Sequence, residues 1–397
     1  MKNEYSISTL GTLTSIIGKN AINVIGDEVK KLGGTRILVV TDKGIEEAGH
    51  VDTVKKLLEE LSLPVFVYDK VVTDPKDTMV EEALKIINEE NVDLVIGLGG
   101  GSSMDTAKSA SLMKTNEGKL MEYSRINPNK RVFKNNRLPL ILVPTTSGTG
   151  SEVSPYAVIT NTEINRKSNI TSKFFLPDVA IIDPMLTCTL NQKWTVSTAF
   201  DALTHAIEAY TVRDAVLYGN PAGDSIALKA IELLNQGIRP AYANGDNYEA
   251  RYQVAVGSHL GGLAMSSGVG VGAAHGLANI LSKYYHVPHG ESVGILLPYK
   301  MEYDLIACPK RFADIAKVMN VYREGMTDME AGKAAVQAVK DLANDVKLPK
   351  LSDYIKDKSE IEGFLEESLN NSCNFVNVRE ITYEASKQIF MNAFEGK

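Results

Sequence analysis

A chain of 397 residues exceeds the size at which one hydrophobic core is usual, so two domains are expected. A composition of 44% apolar and 23% charged residues excludes a disordered chain or a long coiled coil. The formal charge of −7, with no concentrated basic stretch to offset it, argues against a nucleic-acid partner. Cys188, Cys308 and Cys373 are widely separated and odd in number. They form neither a CxxC site nor a disulfide framework, which fits a reducing cytosol. No apolar run has the length of a membrane span, and the opening MKNEYSIS has no signal-peptide core. A cytoplasmic protein without a membrane partner is expected.

Residues 5–18 read as a short extended opening, and Asn20–Leu32 as a helix ended by Gly33 and Gly34. Arg36–Thr41 (RILVVT), Val65–Tyr68, Asp93–Ile96, Leu138–Val143 and Val179–Asp183 are apolar runs bounded by turn residues, the pattern of buried strands. Val51–Leu61 and Asp77–Glu90 between them carry helical spacing. Such alternation predicts a parallel sheet with right-handed crossovers, a Rossmann-like α/β arrangement. From Thr195 onward the pattern changes, and helices are predicted over 197–212, 220–236, 247–266, 273–283, 309–319, 329–344, 358–368 and 380–393. The boundary is placed near residue 190: an α/β domain over 1–189 and an all-helical domain over 190–397. A ligand site is expected in the cleft of such a pair.

Two glycine-rich loops carry chemistry in the first half. Gly97-Leu98-Gly99-Gly100-Gly101-Ser102-Ser103 leaves a strand and opens a helix over Met104–Met113. Free N–H groups at a helix N-terminus favour anions, and glycines let a pyrophosphate lie against the backbone. The loop is neither a strict GxGxxG nor a P-loop, because no Gly-Lys-Ser/Thr follows, and a tight turn is the plain alternative. The second loop, Pro144 to Glu152 (PTTSGTGSE), offers hydroxyls that could line a phosphate, a ribose or a nicotinamide amide, or serve only as a connector. Asp42 ends the first strand. It could accept from a ribose diol and repel the extra phosphate of NADP, or it could cap the next helix. Asp105, Lys108 and Lys167 are further candidates for the cofactor, with solvent or surface pairing as the alternative.

In the second half FDALTHAIEAY places Asp201 and His205 four residues apart, on one face of a helix. Phe200, Leu203, Ile207 and Tyr210 recur at helical spacing beside them, so the helix is buried. A buried carboxylate needs a partner, and a metal ion is one. His275 in GAAHGLAN and His289 in HVPHGES complete an Asp/His3 set that suits Fe(II) or Zn(II). Taken alone, the Asp201/His205 pair reads more readily as a surface or satisfied core pair, and it is the other motifs of the chain that favour a metal.

The stretches VVTDKGI, GLGGGSSMDTAKSAS, LVPTTSGTGSEVSPYAVIT, LPDVAIIDPMLT, STAFDALTHAIEAYT and HGLANILSKYYHVPHG, in this order, resemble the iron-containing (group III) alcohol dehydrogenase family. The resemblance implies a dehydroquinate synthase-like architecture, with an N-terminal dinucleotide-binding domain and a helical metal-binding, catalytic domain. It implies metal ligands at Asp201, His205, His275 and His289. It implies cofactor contacts at Asp42, Asp74, Gly100, Gly101, Ser102, Asp105, Thr145, Thr146, Thr149, Lys167 and Leu186. The implied cofactors are NAD, with NADP the alternative, and Fe(II), with zinc the alternative. The implied substrate is a small alcohol, diol or aldehyde, and the family precedent for assembly is a homodimer or a multiple of it. A zinc-dependent, glycerol-type polyol dehydrogenase is the alternative activity. One departure is Asn279, where many members carry a histidine four residues after the third ligand, near substrate or nicotinamide. His286 differs from the common residue at its place, and a solvent-facing position is expected for it.

Overall fold

The computed structural model describes residues 4–10, 13–267 and 270–397. The chain divides into two compact units, Met1–Thr146 with Ser151–Thr189, and Ser147–Gly150 with Leu190–Lys397. The loop PTTSGTGSE is therefore shared, because its central four residues pack with the helical unit.

The first unit is built on a seven-stranded sheet. Its strands are β1 (Glu4–Leu10), β2 (Leu13–Lys19), β3 (Ile37–Val40), β4 (Val65–Tyr68), β5 (Leu94–Gly99), β6 (Leu140–Pro144) and β9 (Val179–Ile182), in the spatial order β1-β2-β9-β6-β5-β3-β4. All neighbours are parallel except β1 and β2, which form an antiparallel pair at one edge. Strands buried on both faces must be apolar at every position, and β3, β5, β6 and β9 are buried throughout. Period-two alternation sends their side chains to opposite sides. Leu38, Val40 and Val95 join Val80, Ala83, Met104 and Ala107 of α4 (Asp77–Glu89) and α5 (Gly101–Met113). Ile37, Val39 and Ile96 join Val29, Val54 and Leu58 of α1 (Ile25–Lys31) and α3 (His50–Glu59), α2 being the short Lys43–Glu47.

The expected strands are present with ends shifted by at most three residues, and three differences stand out. Residues 5–18 contain two strands, not one extended segment, with residues 11 and 12 outside the described set. The predicted helix over Asn20–Leu32 opens as a 3-10 turn, Ala21–Val24, because Asn20 is in the left-handed region at φ 59°. Residues β7 (Tyr156–Asn161) and β8 (Arg166–Thr171) form a separate antiparallel hairpin that the sequence reading did not name. Its strand β8 is largely exposed and polar (RKSNIT), so it lacks the apolar run that marks the other strands.

In the second unit no strand occurs among the described residues. Its main helices are α6 (Gln192–Thr211), α7 (Arg213–Tyr218), α8 (Pro221–Ala243), α9 (Tyr248–Ser266), α10 (Ala273–Tyr285), α11 (His289–Asp304), α12 (Pro309–Val318), α13 (Asp328–Asp345) and α14 (Tyr383–Glu395). Helix α6 is the axis of this unit and is buried almost from end to end. The Asn191 side chain caps it by accepting from the Trp194 N–H. Helix α11, which begins at His289, was missing from the sequence expectation because Gly290, Gly294 and Pro298 interrupt its pattern. Those glycines are contact residues: a Cβ on Gly290 would lie 2.0 Å from the Ser197 carbonyl oxygen, and one on Gly294 2.8 Å from Phe200 Cβ. They let α11 lie directly on α6. Residues 358–368, predicted as one helix, are a 3-10 segment Lys358–Phe364 followed by one turn, Leu365–Ser368. No described helix is long and apolar enough to cross a membrane.

The close approach of α5 to the sheet also depends on a glycine. A Cβ on Gly97 would sit 2.7 Å from Leu142 Cδ2 and 2.9 Å from Ala107 Cβ. Gly97→Ala is expected to cost roughly 1–3 kcal/mol and to lower the thermal unfolding midpoint. An unchanged midpoint in calorimetry would contradict this packing.

Candidate functional site

Asp201, one helical turn before His205, points into the interior of the helical unit, where its side chain is 5% exposed. Three imidazoles surround its Oδ1: His205 Nε2 at 3.8 Å, His275 Nε2 at 3.6 Å and His289 Nε2 at 3.6 Å. His205 comes from α6, His275 from the first turn of α10, and His289 from the first residue of α11. These separations are too long for hydrogen bonds. They match the edge of a coordination polyhedron, because two ligands each ~2.1 Å from a tetrahedral ion lie roughly 3.4 Å apart. Asp201 Oδ1 and His275 Nε2 are buried and have no hydrogen-bond partner. Buried polar atoms are nearly always satisfied, so these two orphans, aimed at one point, fit a divalent ion. The ring of His205 stacks on that of His275 with centroids 4.7 Å apart, while His289 is the open member, its side chain 42% exposed.

The electrostatics agree with this geometry. Burial alone would raise the Asp201 carboxyl, but the facing His205, His289 and His275 hold it well below the usual carboxylate range. Burial pushes His205 down, toward the neutral ring that a ligand needs. Burial opposes charge on His275 too, yet Asp201 and Glu208 outweigh it and lift that ring to about 9.

The two buried rings, His205 and His275, are each held by the other nitrogen. His205 Nδ1 lies 3.1 Å from the Gly148 carbonyl oxygen, so the second glycine loop contributes to this cluster. A Cβ on Gly148 would meet Thr198 O at 2.8 Å, which is why a glycine stands there. His275 Nδ1 lies 2.7 Å from Glu208 Oε2. Glu208 and the buried Lys300 and Asp304 that accompany it were not singled out from the sequence. The available signal was a charged residue in otherwise apolar helix faces, THAIEAY and ILLPYKMEYD.

The candidate cofactor residues lie mostly in the first unit. Gly100 caps α5, and Gly101 and Ser102 open it with partly exposed backbone, the arrangement expected at an anion site. Gly99, at φ 146°, has room for no side chain, because a Cβ would sit 2.7 Å from Ser103 Oγ. Asp42 caps α2 through Oδ1, which accepts from the Ile45 N–H, while Oδ2 accepts from Ser103 Oγ–H. The capping alternative is thus realised and ties the first strand end to the glycine loop. Thr145 is buried with its hydroxyl unpartnered, and Thr146 and Thr149 are half-buried. Leu186 is buried among the sheet residues. Asp74 and Lys167 pair with each other at 2.7 Å on the surface. Asp105 turns inward: Oδ1 accepts from Ser151 Oγ–H at 2.6 Å and lies 3.4 Å from Lys108 Nζ, while Oδ2 accepts from the Val158 N–H at 2.9 Å. Lys108 is fully buried and donates to Ser151 Oγ and the Tyr156 carbonyl. The solvent-pairing alternative for Lys108 is therefore not realised, since its ammonium braces the loop before β7. Asn279 and His286 are both exposed.

The chain thus combines a mostly parallel α/β sheet unit with a helical unit that carries an Asp/His3 cluster. The family described as iron-containing alcohol dehydrogenase matches residues 14–184, and its C-terminal region matches residues 195–394. The chain belongs to the iron-containing alcohol dehydrogenase family. It is 37% identical to the 1,3-propanediol dehydrogenase of Citrobacter freundii over 96% of this chain and 97% of that one. A crystal structure of 1,3-propanediol oxidoreductase superposes with a TM-score of 0.91 at 36% identity, covering 98% of this chain and 99% of the other. The sulfoacetaldehyde reductase of Bifidobacterium kashiwanohense, solved in complex with NAD+, superposes at 0.86 with 27% identity over 100% of both chains.

Asp105 separates a structural from a cofactor-binding role. Asp105→Asn leaves the buried Lys108 without its nearest anion and is expected to cost roughly 3 kcal/mol of stability. A variant with the wild-type melting temperature and only weakened dinucleotide binding would contradict that expectation.

Proposed function

We propose that this protein is a metal-dependent, NAD-linked alcohol dehydrogenase or aldehyde reductase, acting on a small alcohol or diol, with Fe(II) held by Asp201, His205, His275 and His289. The observation that carries it is the pair of buried, unpartnered atoms, Asp201 Oδ1 and His275 Nε2, facing one another across 3.6 Å. One carboxylate and three imidazoles, with His275 giving up its extra proton on ligation, form a borderline donor set with a single negative charge, suited to iron or zinc. A divalent ion there supplies Lewis acidity toward a hydroxyl or carbonyl oxygen, and a nicotinamide supplies or accepts the hydride. The chain's part is to hold the reacting groups, to keep the ligand rings fixed and to exclude water. Gly100, Gly101 and Ser102 offer N–H groups to a pyrophosphate. Asp42 takes the ribose and disfavours the extra phosphate of NADP. Thr145, with Thr146 and Thr149, offers hydroxyls to the nicotinamide end, while Asp74, Asp105, Lys167 and Leu186 complete the cofactor surroundings. In this reading residues 1–189 bind the dinucleotide, and residues 190–397 bind the metal and substrate.

The names of the relatives support a short diol, hydroxyaldehyde or related aldehyde as substrate, with NAD as carrier. The exposed Asn279 gives this chain no histidine at a position where many relatives have one, so proton release there would pass through water or a nearby hydroxyl. A cytoplasmic homodimer, or a multiple of it, is the expected setting.

Two measurements test this reading. Wild-type protein reconstituted with Fe(II) is expected to oxidise NADH with short aldehydes, and His275→Ala or His289→Ala to lose both bound metal and turnover. A metal-free His275→Ala variant with wild-type turnover would refute the assignment, and activity confined to zinc and polyols would favour the glycerol-type alternative. Asp42→Ala is expected to shift the preference between NAD and NADP toward NADP by about tenfold, about 1.4 kcal/mol. An unchanged ratio of kcat/KM values would remove Asp42 from the cofactor site.

A further inference from the structure

Behind the ring of His275 lies a run of charged side chains to which ligand binding alone gives no role. Glu208 is fully buried on α6, three residues beyond His205. Its carboxylate accepts from His275 Nδ1–H at 2.7 Å, from the Gly272 N–H at 2.9 Å and from the Ala274 N–H at 2.7 Å. Lys300 of α11, also fully buried, lies 3.5 Å from Glu208 Oε1 and 2.9 Å from Asp304 Oδ2. Asn377 donates to Asp304 Oδ1 at 2.8 Å and accepts from the Ala273 N–H at 3.3 Å. Three elements and the turn before α10 are thus tied to one carboxylate.

Such a network is a poor stability device, because well-packed apolar residues usually do as well as a buried ion pair. Its geometry indicates a different use. An imidazole can present Nε2 to an ion only when its proton sits on Nδ1, and an acceptor at Nδ1 selects that tautomer. Both buried rings have such an acceptor, but they differ in kind. His205 faces the neutral carbonyl of Gly148, whereas His275 faces an ionised carboxylate. Lys300 lies between two carboxylates and so holds Glu208 from the side away from His275. The close fit of the turn adds rigidity, since a Cβ on Gly272 would lie 3.0 Å from both Glu208 Oε1 and Asn377 Oδ1.

We propose that Glu208, fixed by Lys300 and Asp304, is the positioning residue that orients His275 and its tautomer, and so sets how tightly the site retains its ion. The inference rests on the metal reading of the Asp201 cluster and names what tunes it. Glu208 acts through His275 and touches neither the ion nor the substrate.

Zinc titration against a chromophoric chelator tests this on the full chain, with melting of the metal-free protein measured alongside. Glu208→Gln is expected to weaken zinc binding about 10- to 100-fold, as removal of a partner behind a ligand typically does. Unchanged zinc affinity with a lowered melting temperature would make Glu208 purely structural and overturn the proposal. Wild-type protein that binds no zinc, or His275→Ala protein that binds it as tightly as wild type, would instead overturn the metal reading itself. If Glu208→Gln does not fold, a structure of the zinc-loaded wild type decides the question. Ligation through His275 Nε2, with Nδ1 still on Glu208, supports the proposal; ligation through Nδ1, or by Glu208 itself, overturns it.

Discussion

A carboxylate sealed inside a helical unit, with one oxygen that no donor reaches, is the constraint around which the second half of the chain is arranged. Asp201 sits on the most buried helix, where an unpaired charge would cost several kcal/mol. What surrounds Oδ1 is neither a lysine nor an arginine but three imidazole nitrogens at 3.6 to 3.8 Å. Too far to bond and too close to ignore, they make sense as donors to a shared partner. The helices that supply them meet only because glycines permit it: Gly290 and Gly294 seat α11 on α6, and Gly148 brings its loop against Thr198. The clefts in side-chain volume that weaken the helical signal of HGESVGILLPYK are the features that place His289.

The same economy governs the first unit. Strand β5 delivers its glycine cluster to the start of α5, and Gly97 and Gly99 each stand where a Cβ would collide. Asp42 links the end of β3 to that cluster by capping α2 and accepting from Ser103. Here the cap and the proposed ribose contact are not exclusive alternatives, since a carboxylate offers about four lone-pair positions. Lys108, by contrast, is committed: its ammonium is enclosed by Ser151, Tyr156 and Asp105.

What the sequence made legible follows from burial. Strands β3, β5, β6 and β9 are buried on both faces, so their apolar runs stand out, and the change to helical spacing after Thr195 is equally plain. The β7–β8 hairpin stayed hidden because its polar outer strand looks like loop. Helix α11 stayed hidden because the residues that let it pack are helix breakers in solution. At the cluster, the four Asp and His positions could be named from motifs, and the structure brings their atoms round one oxygen. Glu208, Lys300 and Asp304 could not be named, since a lone charge at helical spacing reads as a solvated face until tertiary packing closes over it.

The most direct test of the account is the metal content of the protein after anaerobic purification, by elemental analysis per chain, for wild type and Asp201→Asn together. The account predicts close to one divalent ion per wild-type chain, lost on chelation, and little or none in the variant. Wild-type chains free of metal under these conditions, or a variant that keeps its ion, would contradict it.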